Sequence, residues 1–362
     1  HIFCLNCDTI LPQADCYSSR PRAVVPTADW KSPAQARMED IMQGNWRDSL
    51  KGDPFPWLLE EENPSAHYLT LHHLLECDDR DSRATDARAA IPDWPPVREI
   101  LAQMDPIDFW ARAEKPFRGG AVSTHAMLHL LAELGIGLTP ALEAACENLL
   151  EYGQHENGGF SYDGSPSRIW VCHTSNAIRT LIHFGYQSDP RVQKALEYLT
   201  ERINAPDGLT CTGGKTCQWG ITKALGSFAA LPAAHCMHDL ARTAETLADR
   251  VLDHAFDLEG HDARWLDFGF PLDYQSDLTE LCNILARLDY GADPRLQKLL
   301  DIMQETQAGE GHWIKRYGTR AFRVEETGKP SKWITIRALR AIKHMHYTVF
   351  QTEETKRDKR GA

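Results

Sequence analysis

The sequence predicts an all-α protein whose helix hairpins close into a ring, an (α/α)6 toroid, and three observations lead to this prediction. A turn that combines glutamine, glycine and an aromatic residue occurs twice, at residues 154–160 and 307–313. The copies begin at residues 154 and 307, a spacing that corresponds to three repeats of about 51 residues. Two kinds of predicted helix, one amphipathic and one apolar on most of its circumference, alternate between these turns.

The amphipathic helices form the outer layer of the predicted ring. Their starts are clearly marked, because Asp-Pro occurs at 189–190 and 293–294 and Thr-Pro at 139–140. Asp and Thr cap the N-terminus of a helix, and proline is favoured in its first turn. We therefore expect outer helices at residues 32–44, 95–103, 140–152, 190–201, 239–256 and 294–304.

The apolar helices form the inner layer, because a helix that is apolar nearly all round is typical of a buried position. We expect them at residues 64–75, 125–134, 174–184, 218–231, 277–288 and 332–344. Six inner and six outer helices close the ring over residues 32–350. Residues 1–31 are predicted to be a cysteine-containing segment with a linker, and residues 351–362 a charged tail.

Composition excludes several classes of partner. The net charge is −12, from 51 acidic and 39 basic residues, which argues against nucleic acid or an anionic lipid surface as the main partner. No apolar run is long enough for a transmembrane helix. The ten cysteines stand in a chain too large to need disulfides, and no secretory signal is apparent. We therefore expect a cytoplasmic protein, and its oligomeric state stays open.

The repeated turn also carries a resemblance to known proteins. A glutamine–glycine–aromatic turn about every 50 residues resembles the α/α toroids of terpenoid cyclases and protein prenyltransferases. The segments at 57–65, 158–162, 268–277 and 328–333 are most similar to a prokaryotic group of prenyltransferase-like, squalene cyclase-type repeat proteins. The resemblance covers residues 55–345. It implies a toroid that binds an apolar, isoprenoid-like substrate in its central cavity, with zinc as a candidate cofactor.

The resemblance leaves the activity open. One reading is an enzyme of the cyclase or prenyltransferase type, and the alternative is a binding or scaffold toroid without chemistry. Weaker alternatives are a zinc enzyme similar to lanthionine cyclases and a carbohydrate-active α/α barrel. The Asp-x-Asp-Asp tetrad that supplies the acid of class II cyclases does not occur, so squalene-type cyclisation is not expected.

Cysteine and histidine side chains near the starts of two consecutive inner helices form a candidate zinc site. They are Cys172, His173, Cys211 and Cys217. Consecutive inner helices adjoin in a ring, so these side chains are expected to converge at one rim. Two or three thiolates with an imidazole can bind zinc. The Cys172–His173 pair resembles the Cys-His pair of lanthionine cyclases, whereas prenyltransferases use one Asp, one Cys and one His at other positions. The alternative is that the cysteines pack beneath the rim without metal.

The N-terminal segment contains a second candidate metal site. A Cys-x-x-Cys pair followed by a third cysteine is similar to part of a zinc ribbon, and the fourth ligand is not identified. The three cysteines are Cys4, Cys7 and Cys16.

Two carboxylates and a set of aromatic side chains complete the candidates. Asp273 and Asp277 lie four residues apart at the start of an inner helix, and with His173 they are the candidate catalytic residues. Helix capping is the alternative role for the carboxylates. Aromatic side chains and one lysine are expected to line the cavity: Trp170, Trp219, Phe268, Phe270, Tyr274, Lys332 and Trp333.

The glutamines of the repeated turn have a predicted structural role. Gln154 and Gln307 are expected to hold the backbone at the end of a neighbouring helix, with Phe160 and Trp313 packed beneath. Contact with a substrate is the alternative. The family resemblance favours the structural role, because in those toroids the glutamine is a tie on the outside of the ring.

Overall fold

The computed structural model describes residues 45–361 except 79, 211–215, 233–234, 236–237, 255, 261 and 319–321. Within this part the chain forms thirteen α-helices and one short antiparallel strand pair, so the all-α prediction is confirmed. The helices are α1 Phe55–Leu58, α2 Pro64–His73, α3 Ser82–Ala90, α4 Pro95–Ala102, α5 Thr124–Glu133, α6 Pro140–Asn148, α7 Val171–His183, α8 Pro190–Asn204, α9 Gln218–Ala230, α10 His238–Leu252, α11 Leu278–Arg287, α12 Pro294–Glu305 and α13 Lys332–Gly361. The strands are β1 Trp313–Ile314 and β2 Pro330–Ser331.

The outer helices marked by Asp-Pro or Thr-Pro begin where the sequence predicts, because the capping residues act as caps. Thr139 accepts a hydrogen bond from the Leu142 N–H at the start of α6. Asp189 and Asp293 cap α8 and α12 in the same way, each followed by proline at the first helical position. The two helix kinds are also present: five of the fifteen residues of α8 are buried, against nine of the ten in α11.

Six helices pack against one another in chain order. Neighbouring pairs are α5 with α7, α7 with α9, α9 with α11 and α11 with α13, and α13 in turn packs on α2. The Ser65 hydroxyl of α2 donates a 2.6 Å hydrogen bond to the Leu134 carbonyl at the end of α5. We call α2, α5, α7, α9, α11 and α13 the inner helices, after their predicted layer, and α6, α8, α10 and α12 each pack against at least one of them.

The turn glutamines bind backbone as predicted. The Gln154 side-chain amide donates to the Gly158 carbonyl at 2.9 Å and to the Arg191 carbonyl in the first turn of α8 at 2.8 Å. Gln307 donates to the Gly311 carbonyl and accepts from the Lys51 N–H at 3.0 Å. Phe160 and Trp313 are fully buried beneath the two turns. The second turn thereby ties the segment after α12 to the segment that precedes α1.

Three features were not predicted or lie outside the described residues. Helix α3 was not predicted, because only Ala84 and Ala87 of its nine residues are buried and the apolar period is weak. Helix α13 continues to Gly361, past residue 351 where a charged tail was expected. The predicted outer helix at 32–44 lies outside the described residues. Among the described helices, none combines the length and the apolar character needed to cross a membrane.

Candidate functional site

A cavity of about 460 Å³ lies among the inner helices, and each of them contributes a pair of lining residues four positions apart. Residues at i and i+4 stack on one helix face, one turn apart, so the pairs form two layers. The first layer is Leu69, His129, Arg179, Gly226, Asn283 and Ile336. The second layer is His73, Glu133, His183, Ala230, Arg287 and Arg340, five of which are the last residue of their helix.

The wall of the cavity is rich in positive charge. Five arginines line it, Arg88, Arg179, Arg287, Arg337 and Arg340, whereas Glu133 is the one carboxylate among the described lining residues. The carboxylates nearest to this wall belong to the structural framework. Glu280 lies 2.7 Å from Arg179 and 2.9 Å from Lys223. Asp277 lies 3.6 Å from Arg337.

Arg340 is one of the arginines of this wall whose guanidinium lacks a partner among the described residues. Within the described part of the chain it forms no hydrogen bond or ion pair, and its Nε has no acceptor. Burial lowers the pKa of Arg340 well below its ordinary value, and the positive charges of Arg287 and Arg179 lower it further. Burial also lowers the pKa of Arg287 to about 10. Two guanidinium groups thus face one cavity without a carboxylate partner.

The first layer of the cavity also contains polar atoms without hydrogen-bond partners among the described residues. Asn283 is only 7% exposed, and its side-chain oxygen has no hydrogen-bond partner among the described residues. The His129 Nδ1 lies 3.0 Å from the Thr180 hydroxyl, whereas its Nε2 lies 4.0 Å from Glu133 and has no hydrogen bond. Burial lowers the pKa of His129, and nearby Arg179 lowers it further, so the imidazole is neutral at pH 7.

A run of imidazoles leads from this cavity to the N-terminal ends of the inner helices. The ring of His125 lies 6.2 Å from that of His129 and 6.0 Å from that of His173. His173 also stacks on Phe117 and meets Trp170 edge-on at 5.0 Å. Burial lowers the pKa of His173, and the charge of Asp273 acts against this shift. Asp273 contacts the same helix as His173, because its carbonyl accepts a 2.8 Å hydrogen bond from the Asn176 amide of α7.

The two predicted catalytic carboxylates occupy helix-start positions. Asp277 caps α11, and its oxygens accept from the N–H groups of Gly269 and Glu280 at 2.8 and 2.9 Å. The Asp273 carbonyl accepts from the Asn176 amide, and the Asp273 backbone is left-handed with φ +42°. Helix α11 has ten residues, so Asp277 lies about 15 Å from Arg287. Neither carboxylate lines the cavity.

The predicted zinc ligands are described only in part. Cys172 and Cys217 line one small pocket of about 30 Å³ together with Trp170. The Cys217 sulfur caps α9 by accepting from the Gly220 N–H at 3.3 Å. No three His, Cys, Asp or Glu side chains are placed to hold a metal ion among the described residues, so Cys172, His173 and Cys217 do not form such a group. Cys211 lies outside the described residues, as do Cys4, Cys7 and Cys16.

The predicted aromatic wall is divided between several places. Phe270 and Trp333 line the cavity, with their rings stacked 4.7 Å apart. Phe268 is buried in the core, and Tyr274 is 47% exposed beside Trp219. The Lys332 ammonium binds Glu60 at 2.8 Å. Trp170, Trp219, Phe268, Tyr274 and Lys332 are not among the residues that line the cavity.

Sequence reasoning missed the arginines of the cavity. It considered polar residues at the starts of inner helices, whereas the cavity lies toward the other ends. A usable signal exists in the sequence: polar residues four positions apart interrupt otherwise apolar helices. They occur as His129 with Glu133, Arg179 with His183, and Asn283 with Arg287.

Comparison with known proteins adds no assignment to this geometry. The chain matches no model of a protein family, and a search of curated protein sequences finds no match.

Proposed function

We propose that the chain is an (α/α)6 toroid that binds an anionic small molecule in its central cavity. The ring is supported by the contacts of the inner helices in chain order and by the packing of α13 on α2. It is supported further by the cavity, to which every inner helix contributes a pair of residues. A volume of about 460 Å³ is in the usual range for small-molecule sites.

The observation that carries the proposal is the unpaired charge of Arg340 beside Arg287. A buried charge is expensive unless it is paired, and like charges in one site increase the cost. Helix C-termini carry partial negative charge, which partly stabilises positive side chains beside them. The Arg287 guanidinium donates to the Ala229 carbonyl, and the Lys343 ammonium donates to the Leu74 carbonyl at 3.0 Å. Arg340 has no such carbonyl in the part of the chain that the structure describes, so a carboxylate or phosphate is the partner that its guanidinium fits best.

The experiment is a titration of the intact chain with inorganic diphosphate, measured by calorimetry. We expect saturable binding that Arg340→Gln weakens at least tenfold. Arg98→Gln is the matched control, because Arg98 is an exposed arginine of α4. Equal affinity in all three proteins, or no binding to the unmodified chain, would contradict the proposal.

An isoprenoid ligand stays a second candidate if it carries a diphosphate. Its head would bind the arginines, and the stacked rings of Phe270 and Trp333 offer an apolar surface for its chain. Geranyl diphosphate in the same titration tests this candidate: it should bind more tightly than inorganic diphosphate, and Phe270→Ala should remove the difference. Equal affinity for both compounds would exclude a role for the isoprenoid chain.

Zinc at the helix starts is a separate proposal. Its support is that Cys172 and Cys217 share a pocket and that Cys211 lies six residues before Cys217 in the chain. Metal analysis of protein purified without chelator should find one zinc per chain, and Cys217→Ser should lose it. Protein without zinc, or a variant that retains it, would contradict the proposal.

A further inference from the structure

We infer that the anion bound in the cavity is polyhydroxylated, of the sugar-phosphate or sugar-acid type, and that the first layer of the cavity reads its hydroxyl groups. The inference rests on the proposed function, because it assumes that the arginines of the second layer hold the anionic group. It goes further in assigning a chemical class to the rest of the ligand.

Asn283 is the first argument. A side-chain amide offers two donors and an acceptor with two lone pairs. In proteins, buried amides are nearly always hydrogen-bonded. Asn283 is 93% buried by its 7% exposure, lines the cavity, and its oxygen has no partner among the described residues. A ligand hydroxyl can donate to this oxygen and accept from the amide nitrogen, whereas a hydrocarbon chain can do neither.

Glu133 and His129 are the second argument. A carboxylate beside an anion site repels the ligand unless it accepts hydrogen bonds from the ligand itself. Among the described residues, Glu133 Oε2 has no hydrogen-bond partner, and Oε1 lies 3.9 Å from Arg179 and 4.0 Å from His129. The neutral His129 Nε2 is also without a partner. Hydroxyl groups suit both side chains, because a hydroxyl is a donor as well as an acceptor.

The spacing of the two layers fits one small molecule. Asn283 and Arg287 stand one turn apart on the same face of α11, and so do His129 and Glu133 on α5. Four residues of helix rise about 6 Å. This is the separation between an exocyclic phosphate and the far hydroxyl groups of a six-membered sugar ring. One hexose phosphate could therefore contact both layers within the cavity of about 460 Å³.

A site of this kind should discriminate strongly against ligands without hydroxyl groups. Such ligands leave buried polar groups unpaired, and sites built to bind a hydroxyl reject analogues that lack it. The inference therefore opposes the isoprenoid candidate, whose chain would cover Asn283 and Glu133 with hydrocarbon.

The test compares ligands of equal charge and ring size by calorimetry on the intact chain. The probes are the 6-phosphates of glucose, mannose and galactose, with cyclohexylmethyl phosphate as the hydroxyl-free match. We expect at least one hexose phosphate to bind tenfold or more tightly than cyclohexylmethyl phosphate. Asn283→Leu, which keeps the side-chain size, should reduce that hexose phosphate to the level of the hydroxyl-free compound, and Glu133→Gln should reduce the preference as well.

The outcomes separate the two proposals. If cyclohexylmethyl phosphate or geranyl diphosphate binds as tightly as every hexose phosphate, the inference is overturned and the anion site stands. If no phosphate binds, both are overturned. Should a variant fail to fold, the comparison of ligands on the unmodified chain decides the question alone.

Discussion

Polar side chains lie at both ends of the inner helices, but their hydrogen bonds and ion pairs differ between the two ends. At the helix starts, Asp277 binds two backbone N–H groups, and Glu280 binds Lys223 and Arg179. Toward the helix ends, Arg340, Asn283 and Glu133 have polar atoms without partners among the described residues. A buried polar group with all its bonds made stabilises a fold, whereas one without them costs free energy. Atoms without partners in the described part of the chain also occur at the helix starts, such as His125 Nε2 and Gln218 Oε1. The helix ends differ because their unpartnered groups include charged side chains that line one cavity, which favours ligand binding there.

The largest expected effect comes from breaking the buried ion pair at the structural end. Lys223 and Glu280 are 0% and 1% exposed, with 2.9 Å between their charged atoms. Lys223→Met should lower the free energy of unfolding by about 3–5 kcal/mol, because it leaves a buried carboxylate undercompensated. Urea unfolding measures this. The control is Arg191→Met, which breaks partly exposed pairs with Glu147 and Asp189 and should cost about 1 kcal/mol. Similar losses of unfolding free energy in both variants would contradict the claim that the buried ion pair matters more than the exposed one.

Removal of the Asp277 cap should have the next largest effect. Asp277→Ala deletes the cap of α11 and leaves the Gly269 N–H without its acceptor. We expect a loss of about 3 kcal/mol, from about 1 for the cap and about 2 for the unpaired buried donor. Thr139→Ala removes only the cap of α6 and should cost about 1 kcal/mol. A larger loss of stability for Thr139→Ala than for Asp277→Ala would contradict the claim that Asp277 contributes more than a helix cap.

Glu325 is an exception at the helix starts and predicts a pH dependence. Burial raises the pKa of Glu325 to about 7, although the Lys332 N–H donates to its carboxylate. Its folded pKa therefore exceeds the ordinary value of 4.5. The stability that this group contributes is fully present below pH 4.5 and is lost as the pH rises through 7.

Glu325→Gln isolates this contribution from that of the buried histidines, which titrate in the same range with the opposite sign. The variant should gain stability relative to the unmodified chain between pH 5 and 8, by up to about 3 kcal/mol. Unfolding in urea at several pH values measures the difference. A difference that stays constant across this range would exclude Glu325 as the titrating group.

The smallest effect is expected at Arg340 in the absence of ligand. Arg340→Gln removes a half-buried charge that has no partner among the described residues. The free energy of unfolding should stay the same or rise by about 1 kcal/mol, in contrast to Lys223→Met. A loss of 2 kcal/mol or more, about the cost of a truly paired buried group, would show that Arg340 is compensated in the folded protein.

The fold was more accessible from the sequence than the site. Helix starts such as Asp189-Pro190 are local signals, and the buried face of α11 is visible as an apolar run, so both were predicted. Helix α3 was missed because its packing against α2 depends on two alanines only. The closed ring and its repeats stay a proposal that these contacts support.

The cavity depends on side-chain size in three dimensions, which the sequence pattern does not reveal. Gly226 lets the Arg179 side chain lie close to α9, because a Cβ at this position would lie only 3.2 Å from the Arg179 guanidinium. The polar residues of the helix starts were predicted as site residues because cysteine, histidine and aspartate are common in catalytic and metal sites. Asp277 caps α11, and Arg340 has no hydrogen-bond partner among the described residues. Both facts depend on the three-dimensional packing of the helices.

The most direct test of the account is a stability cycle with and without an anion. Urea unfolding of the unmodified chain and of Arg340→Gln is measured in buffer alone and with saturating diphosphate. We predict that Arg340→Gln is at least as stable as the unmodified chain in buffer. At an anion concentration of about 100 Kd, the unmodified chain should gain about 2.7 kcal/mol and become the more stable protein. Equal gains in both proteins, or no gain in either, would contradict the claim that Arg340, unpaired among the described residues, binds an anionic ligand in the cavity.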